Sequence, residues 1–107
     1  MAERRHRNRL EIVREILSAA KEGERKTHLM NAANLNFYQI DVYLPFLLDN
    51  KMLEKFRGRK GKEGEYFLYK TSEKGKLFLE RYSRLNEVFP LEGPSTSTFE
   101  KLELVAV

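Results

Sequence analysis

Two runs of cations are the residues in this chain whose type and spacing carry chemistry. One lies at the amino end, Arg4, Arg5, Arg7 and Arg9, and the other comprises Lys55, Arg57, Arg59, Lys60 and Lys62 with no acidic residue inside it. Clustered guanidinium and ammonium groups bind phosphate, and local clusters matter more here than the net charge of +4, because attraction to a polyanion follows the local field. For either run alone a plain solvated surface is an equal alternative, so their placement in the fold must decide. Other chemistry lacks its ligands. There is no cysteine and there are only two histidines, His6 and His28, which excludes a thiolate zinc site or a disulfide framework and leaves a transition metal short of donors. His28 has no oriented partner or nucleophile in the pattern and reads as a surface or capping neighbour. The glycines of Gly58 to Gly64 lack the flanking elements and the Lys-Ser or Lys-Thr pair of a nucleotide-binding loop. The expectation is therefore no catalytic residue, no metal, no cofactor and no enzymatic activity.

The elements that must position these cations follow from periodicity. With 107 residues, 41% hydrophobic and 34% charged, the chain suits one folded domain with one modest core. From Arg9 to Lys21 the residues Leu10, Ile12, Val13, Ile16, Leu17, Ala19 and Ala20 recur at helical spacing, with Gly23 placed to end the helix. Thr27 is expected to cap a short second helix reaching about Ala33. Asn36 then caps a third, whose apolar face includes Leu35, Phe37, Ile40, Tyr43, Leu44, Leu47 and Leu48 and which runs to about Asn50. Met52 to Arg57 and the aromatic-rich Glu65 to Lys70 read as two strands, and the intervening Gly58, Gly61 and Gly64 supply the freedom of a hairpin loop with the cations at its tip. Thr71 or Ser72 caps a fourth helix that Pro90 ends. The fold class is mainly α with a small β-hairpin (α+β). Residues 1-8 form a basic amino-terminal arm, residues 9-89 the domain, and residues 90-107 a linker and a tail that is flexible or docked on a partner.

Helix, helix, tight turn, helix, basic hairpin, helix is the order in which a helix-turn-helix is extended by a two-stranded wing. In that arrangement the third helix enters a major groove while the wing reaches an adjacent backbone or minor groove. Arg57, Arg59, Lys60 and Lys62 on the wing, with Arg4, Arg5 and Arg7 in the arm, are then phosphate ligands, giving affinity with little sequence information. On the third helix Asn36, Tyr38 and Gln39 are the candidates to reach DNA, the two amides through adenine edges and Tyr38 through phosphate or sugar. Asn36 has an equal claim as a helix cap, and Tyr38 as cover for the domain's edge. From Thr27 to Asn50 there is no Lys or Arg, while Asp41 and Asp49 are acidic, so attraction must come from arm and wing. Pro45 removes one backbone hydrogen bond inside the third helix and predicts a kink.

These residues resemble a known family, the small archaeal winged-helix DNA-binding proteins that dimerise through a long carboxy-terminal helix. The resemblance spans roughly Arg9 to Phe89. It is carried by Arg9-Leu10-Glu11-Ile12-Val13 with Ile16-Leu17 and Ala20, by Lys26-Thr27-His28-Leu29-Met30, by Ala33-Asn34-Leu35-Asn36, by Tyr43-Leu44 with Leu47-Leu48, and by Thr71-Ser72-Glu73-Lys74-Gly75. It implies a winged helix, a homodimer and a DNA role. Pro45 and the cation-free third helix depart from that pattern.

Two functions from different classes follow. One is double-stranded DNA binding, as a transcriptional regulator or a chromatin-like architectural protein; the alternative is a winged-helix module that docks a protein partner without base-specific readout. Leu77, Leu85, Val88 and Phe89 on the fourth helix have apolar surface enough for a dimer interface, or else belong to the core. The longest apolar stretches fall far short of the roughly 20 residues of a membrane span, and no apolar signal core follows the first arginines. No membrane partner and a cytoplasmic location are expected.

Overall fold

The computed structural model describes residues 7–59 and 65–91. Its elements are α1 (Arg9–Ala19), α2 (Lys26–Ala32), α3 (Phe37–Asp49), β1 (Leu53–Arg59), β2 (Glu65–Thr71) and α4 (Glu73–Val88). The order is the one expected from periodicity, and local chemistry sets most boundaries. α1 starts in a capping box: the Asn8 side chain accepts from the Glu11 amide at 2.9 Å, and the Glu11 carboxylate accepts from the Asn8 amide at 3.2 Å. Glu11 is thereby buried with its carboxylate hydrogen-bonded. α1 turns into α2 through Gly23, whose φ of +95° is costly for any residue bearing a Cβ.

α2 departs from expectation at its start. Arg25, not Thr27, is its N-cap, and no side chain caps it. Tertiary pairing accounts for this. Glu24 exchanges two backbone hydrogen bonds with Tyr69 of β2, at 3.0 and 2.8 Å, so the chain leaves that bridge and enters the helix within one residue. Between α2 and α3 Asn34 takes a left-handed φ of 52°, and the Leu35 amide closes back on the Met30 carbonyl at 2.8 Å. The tight turn of the helix pair rests on that conformation.

β1 and β2 pair antiparallel, with Leu53 opposite Thr71 at the base and Arg59 opposite Glu65 at the far end. The strand is longer than expected, because Gly58 lies inside β1 and not in the loop. Its lack of a side chain is used there: a Cβ at Gly58 would stand 2.4 Å from Cε2 of Tyr66, its register partner. The hairpin is fastened to the helices at its base. The Thr71 hydroxyl donates to the Leu17 carbonyl at 2.6 Å and the Thr71 amide to the Ala20 carbonyl at 2.9 Å, which satisfies both polar groups in a buried site. Ser72 caps α4, accepting from the Gly75 amide at 3.1 Å.

One core joins the helices to the base of the hairpin, with Ile16, Leu17, Leu29, Ile40, Leu47 and Leu53 among its buried members. Tyr82 of α4 is buried beneath the Arg14 guanidinium, 5.7 Å from its ring centre, on the α1 side. Past α4 the chain returns to the start of α1, where the Asn8 side-chain amide donates to the Leu91 carbonyl at 2.9 Å.

Candidate nucleic-acid interface

The hairpin's register sorts its side chains onto two faces, because successive residues of a strand point to opposite sides. Lys55 opposite Tyr69 and Arg57 opposite Phe67 share one face, and Glu54 opposite Lys70, Phe56 opposite Leu68 and Gly58 opposite Tyr66 share the other. On the first face Lys55 Nζ lies 4.2 Å from the Phe67 ring centre and 5.9 Å from that of Tyr69, so an ammonium is seated on aromatic surface while remaining solvent-exposed. Arg57 is exposed beside it. Arg59 ends β1 next in that register, while Lys60 and Lys62 lie outside the described residues, as do Arg4 and Arg5.

α3 presents a surface of another kind. Tyr38 is 86% exposed and Val42 68%, with Phe37 alongside, so its outer face is apolar at the amino end. The acidic Asp41 on that face is paired with Lys26 at 2.5 Å, which brings a cation from α2 but neutralises it in doing so. Asn36 and Gln39 do not stand free. The Asn36 side-chain oxygen accepts from the Gln39 amide and the Gln39 side-chain oxygen accepts from the Asn36 amide, each at 2.9 Å, in a capping box. Reading an adenine edge needs both the oxygen and the nitrogen of an amide, and here both oxygens are engaged. α3 continues through Pro45 to Asp49.

Arg7 is likewise engaged. It pairs with Glu15 and donates from Nη2 to the Asn34 carbonyl at 3.2 Å, tying the amino-terminal segment to the turn between α2 and α3. Of the four apolar positions expected on a partner-facing α4, Leu77 is half-exposed, while Leu85, Val88 and Phe89 are exposed together at the distal end. Two members of the site escaped the sequence pattern. Arg25, which belongs to neither cation run and sits between Glu24 and Lys26, has its guanidinium carbon 4.1 Å over the ring centre of Tyr66. Only the Glu24 to Tyr69 bridge brings them together, and no local signal marks it. Among the described residues no group of three or more His, Asp or Glu is assembled to hold a metal ion, and no helix is long and apolar enough to cross a membrane.

A three-helix unit extended by a β-hairpin, with a further helix after it, is matched across residues 6–89 by the family model described as winged helix-turn-helix. The chain belongs to the winged helix-turn-helix family. Two uncharacterized proteins of the archaeon Methanocaldococcus jannaschii resemble this winged-helix chain in sequence. One is 37% identical over 89 residues, covering 82% of this chain but 36% of the relative. The other is 34% identical over 86 residues, covering 79% of this chain and 76% of the relative. The winged-helix chain thus spans about a third of one and about three quarters of the other. In three dimensions it is similar to the crystal structure of Sso10a-2, a DNA-binding protein from Sulfolobus solfataricus, with a TM-score of 0.62, 22% identity and coverage of 92% of this chain and 96% of that one. At that identity the likeness speaks to fold.

Proposed function

We propose that this winged-helix domain binds double-stranded DNA without catalysis, with little discrimination among sequences, in an architectural role more than as an operator-reading regulator. The observation that carries this reading is the division of labour on its surface. Cations stand on the wing, one of them seated on an aromatic ring, whereas the amide oxygens of α3 that would read bases are engaged in capping. Phosphate contacts of that kind give affinity and register but no base information. Sso10a-2, of the same fold, is described as a DNA-binding protein, which supports the reading. The exposed Leu85, Val88 and Phe89 are assigned to contact with a second copy, whose own helix would cover them.

The test is fluorescence anisotropy of several unrelated duplexes at rising salt. The expected result is steep salt dependence with affinities that lie close together; a single strongly preferred duplex would restore the regulator. One observation favours a second reading, the apolar face of α3 at Phe37, Tyr38 and Val42, which suits a protein partner. Absence of binding to any duplex by the folded chain would move the function there. For the dimer, Leu85→Glu is expected to give a monomer in sedimentation, and a variant that stays dimeric takes α4 out of the interface.

A further inference from the structure

We propose that Arg25 is a phosphate-binding residue at the junction of α2 and the wing, held for that role by Tyr66, so that the wing offers a ring-seated cation on each of its two faces. The inference rests on the DNA-binding reading above and deepens it.

A hairpin that enters a groove meets a row of phosphates on either side, so cations on one face alone leave the opposite row without a partner. The face with Lys55 and Arg57 is provided for. On the other face the strands' own charged residues are Glu54 and Lys70, opposite one another in register and opposite in sign, and outward from them, among the described residues, stand Phe56, Leu68, Gly58 and Tyr66. The strands themselves therefore give that face no net positive charge. Arg25 supplies it from outside the hairpin. The Glu24 to Tyr69 bridge sets the start of α2 against the outer edge of β2, and from there the Arg25 guanidinium reaches 4.1 Å from the Tyr66 ring centre.

The seat is built and not incidental. Tyr66 lies against the bare backbone of Gly58, where any Cβ would stand 2.4 to 2.9 Å from Cε2, Cζ and the hydroxyl oxygen. A guanidinium held over a ring face is positioned without spending an N–H on a protein acceptor, and among the described residues the Arg25 side chain donates no hydrogen bond, so its fork of donors is available to a phosphate. Arg25 is exposed, and among the described side chains it has no carboxylate partner, in contrast to the adjacent Lys26, which Asp41 holds. Tyr66 is thus a positioning residue and Arg25 the ligand.

The experiment measures duplex affinity by anisotropy across salt concentrations for the full chain, Arg25→Ala, Arg25→Lys, Tyr66→Phe and Tyr66→Leu, with thermal unfolding recorded for each. A phosphate ligand predicts that Arg25→Ala lowers the slope of log affinity against log salt by about 1, equally for every duplex, with an unchanged unfolding midpoint. Arg25→Lys keeps the slope, because the charge stays, but binds more weakly for want of the fork. Tyr66→Phe behaves as the parent, since only the ring is used, whereas Tyr66→Leu weakens binding with the slope retained. Should the parent bind while Arg25→Ala keeps both slope and affinity, the inference is overturned and the DNA reading stands. Weaker binding at an unchanged slope with a lowered midpoint makes Arg25 a structural tie and also overturns it. Failure of the parent to bind any duplex removes the inference together with the reading beneath it.

Discussion

The wing and helix α3 are the two surfaces that a duplex would meet, and they differ in whether the cations beside their rings are matched by a carboxylate. The wing sets exposed cations on aromatic rings, Lys55 on Phe67 and Arg25 on Tyr66. α3 exposes Phe37 and Tyr38, the first with the Lys26 ammonium 6.0 Å from its ring centre, but that cation is already paired with Asp41, and the amide oxygens of Asn36 and Gln39 are engaged in capping its first turn. Attraction and shape are thus separated in this domain. Long-range attraction and phosphate contact reside in the hairpin, while α3 offers a groove a form to fit and little to read with.

The largest effect is expected on the wing. Changing Arg57, Arg59, Lys60 and Lys62 together to Ala is expected to lower the salt slope of duplex binding by about 3 to 4, one phosphate for each cation at roughly 0.9 apiece, and to abolish binding at moderate salt. A slope that barely moves would make α3 the anchor. Next in size is Gly58→Ala, which drives a Cβ into the Tyr66 ring and forces that ring aside. Because the ring is the far end of a flexible side chain, thermal unfolding should register a loss on the order of 1 kcal/mol. Duplex affinity should fall as well, and that second loss should vanish when Arg25 is already Ala, a double-mutant cycle that measures the coupling directly. The smallest effect is expected on α3. Asp41→Asn removes the partner of Lys26, with a stability change of about 0.5 kcal/mol or less for an exposed pair. Anisotropy should then show severalfold tighter duplex binding if the outer face of α3 lies against DNA, and unchanged binding if that face is turned toward a protein partner.

Much of the fold was legible along the chain because it depends on neighbours in sequence. The apolar spacing of Val13, Ile16, Leu17 and Ala20, the cap at Asn36 and the aromatic run of β2 are local chemistry, and each holds in three dimensions. Gly23, expected to end the first helix, lies in the turn beyond it, because α1 already ends at Ala19 with Ala20 as its cap. Where expectation and structure part, a distant residue intervened. Thr27 is an acceptable cap by type, but the bridge from Glu24 to Tyr69 moved the helix start to Lys26. Gly58 reads as loop by composition, but the Tyr66 ring needs its empty side within the strand. Within the candidate site the cation runs were visible as runs, yet Arg7 belongs by contact to Glu15 and the turn at Asn34, and Asn36 and Gln39 belong to each other. Arg25 carried no signal at all, since its partner lies some forty positions further along the chain and is joined to it only through the sheet edge.

By itself the sequence determined the order of elements, the single core, the concentration of cations on the hairpin and their absence from α3, because periodicity, capping and charge composition act over a few residues. Only the tertiary structure decided which of those cations are engaged, which face of the hairpin each occupies and which ring seats it. Those outcomes depend on strand register and on contacts between residues far apart in the chain, and a register shift of one residue would exchange every side chain between the two faces.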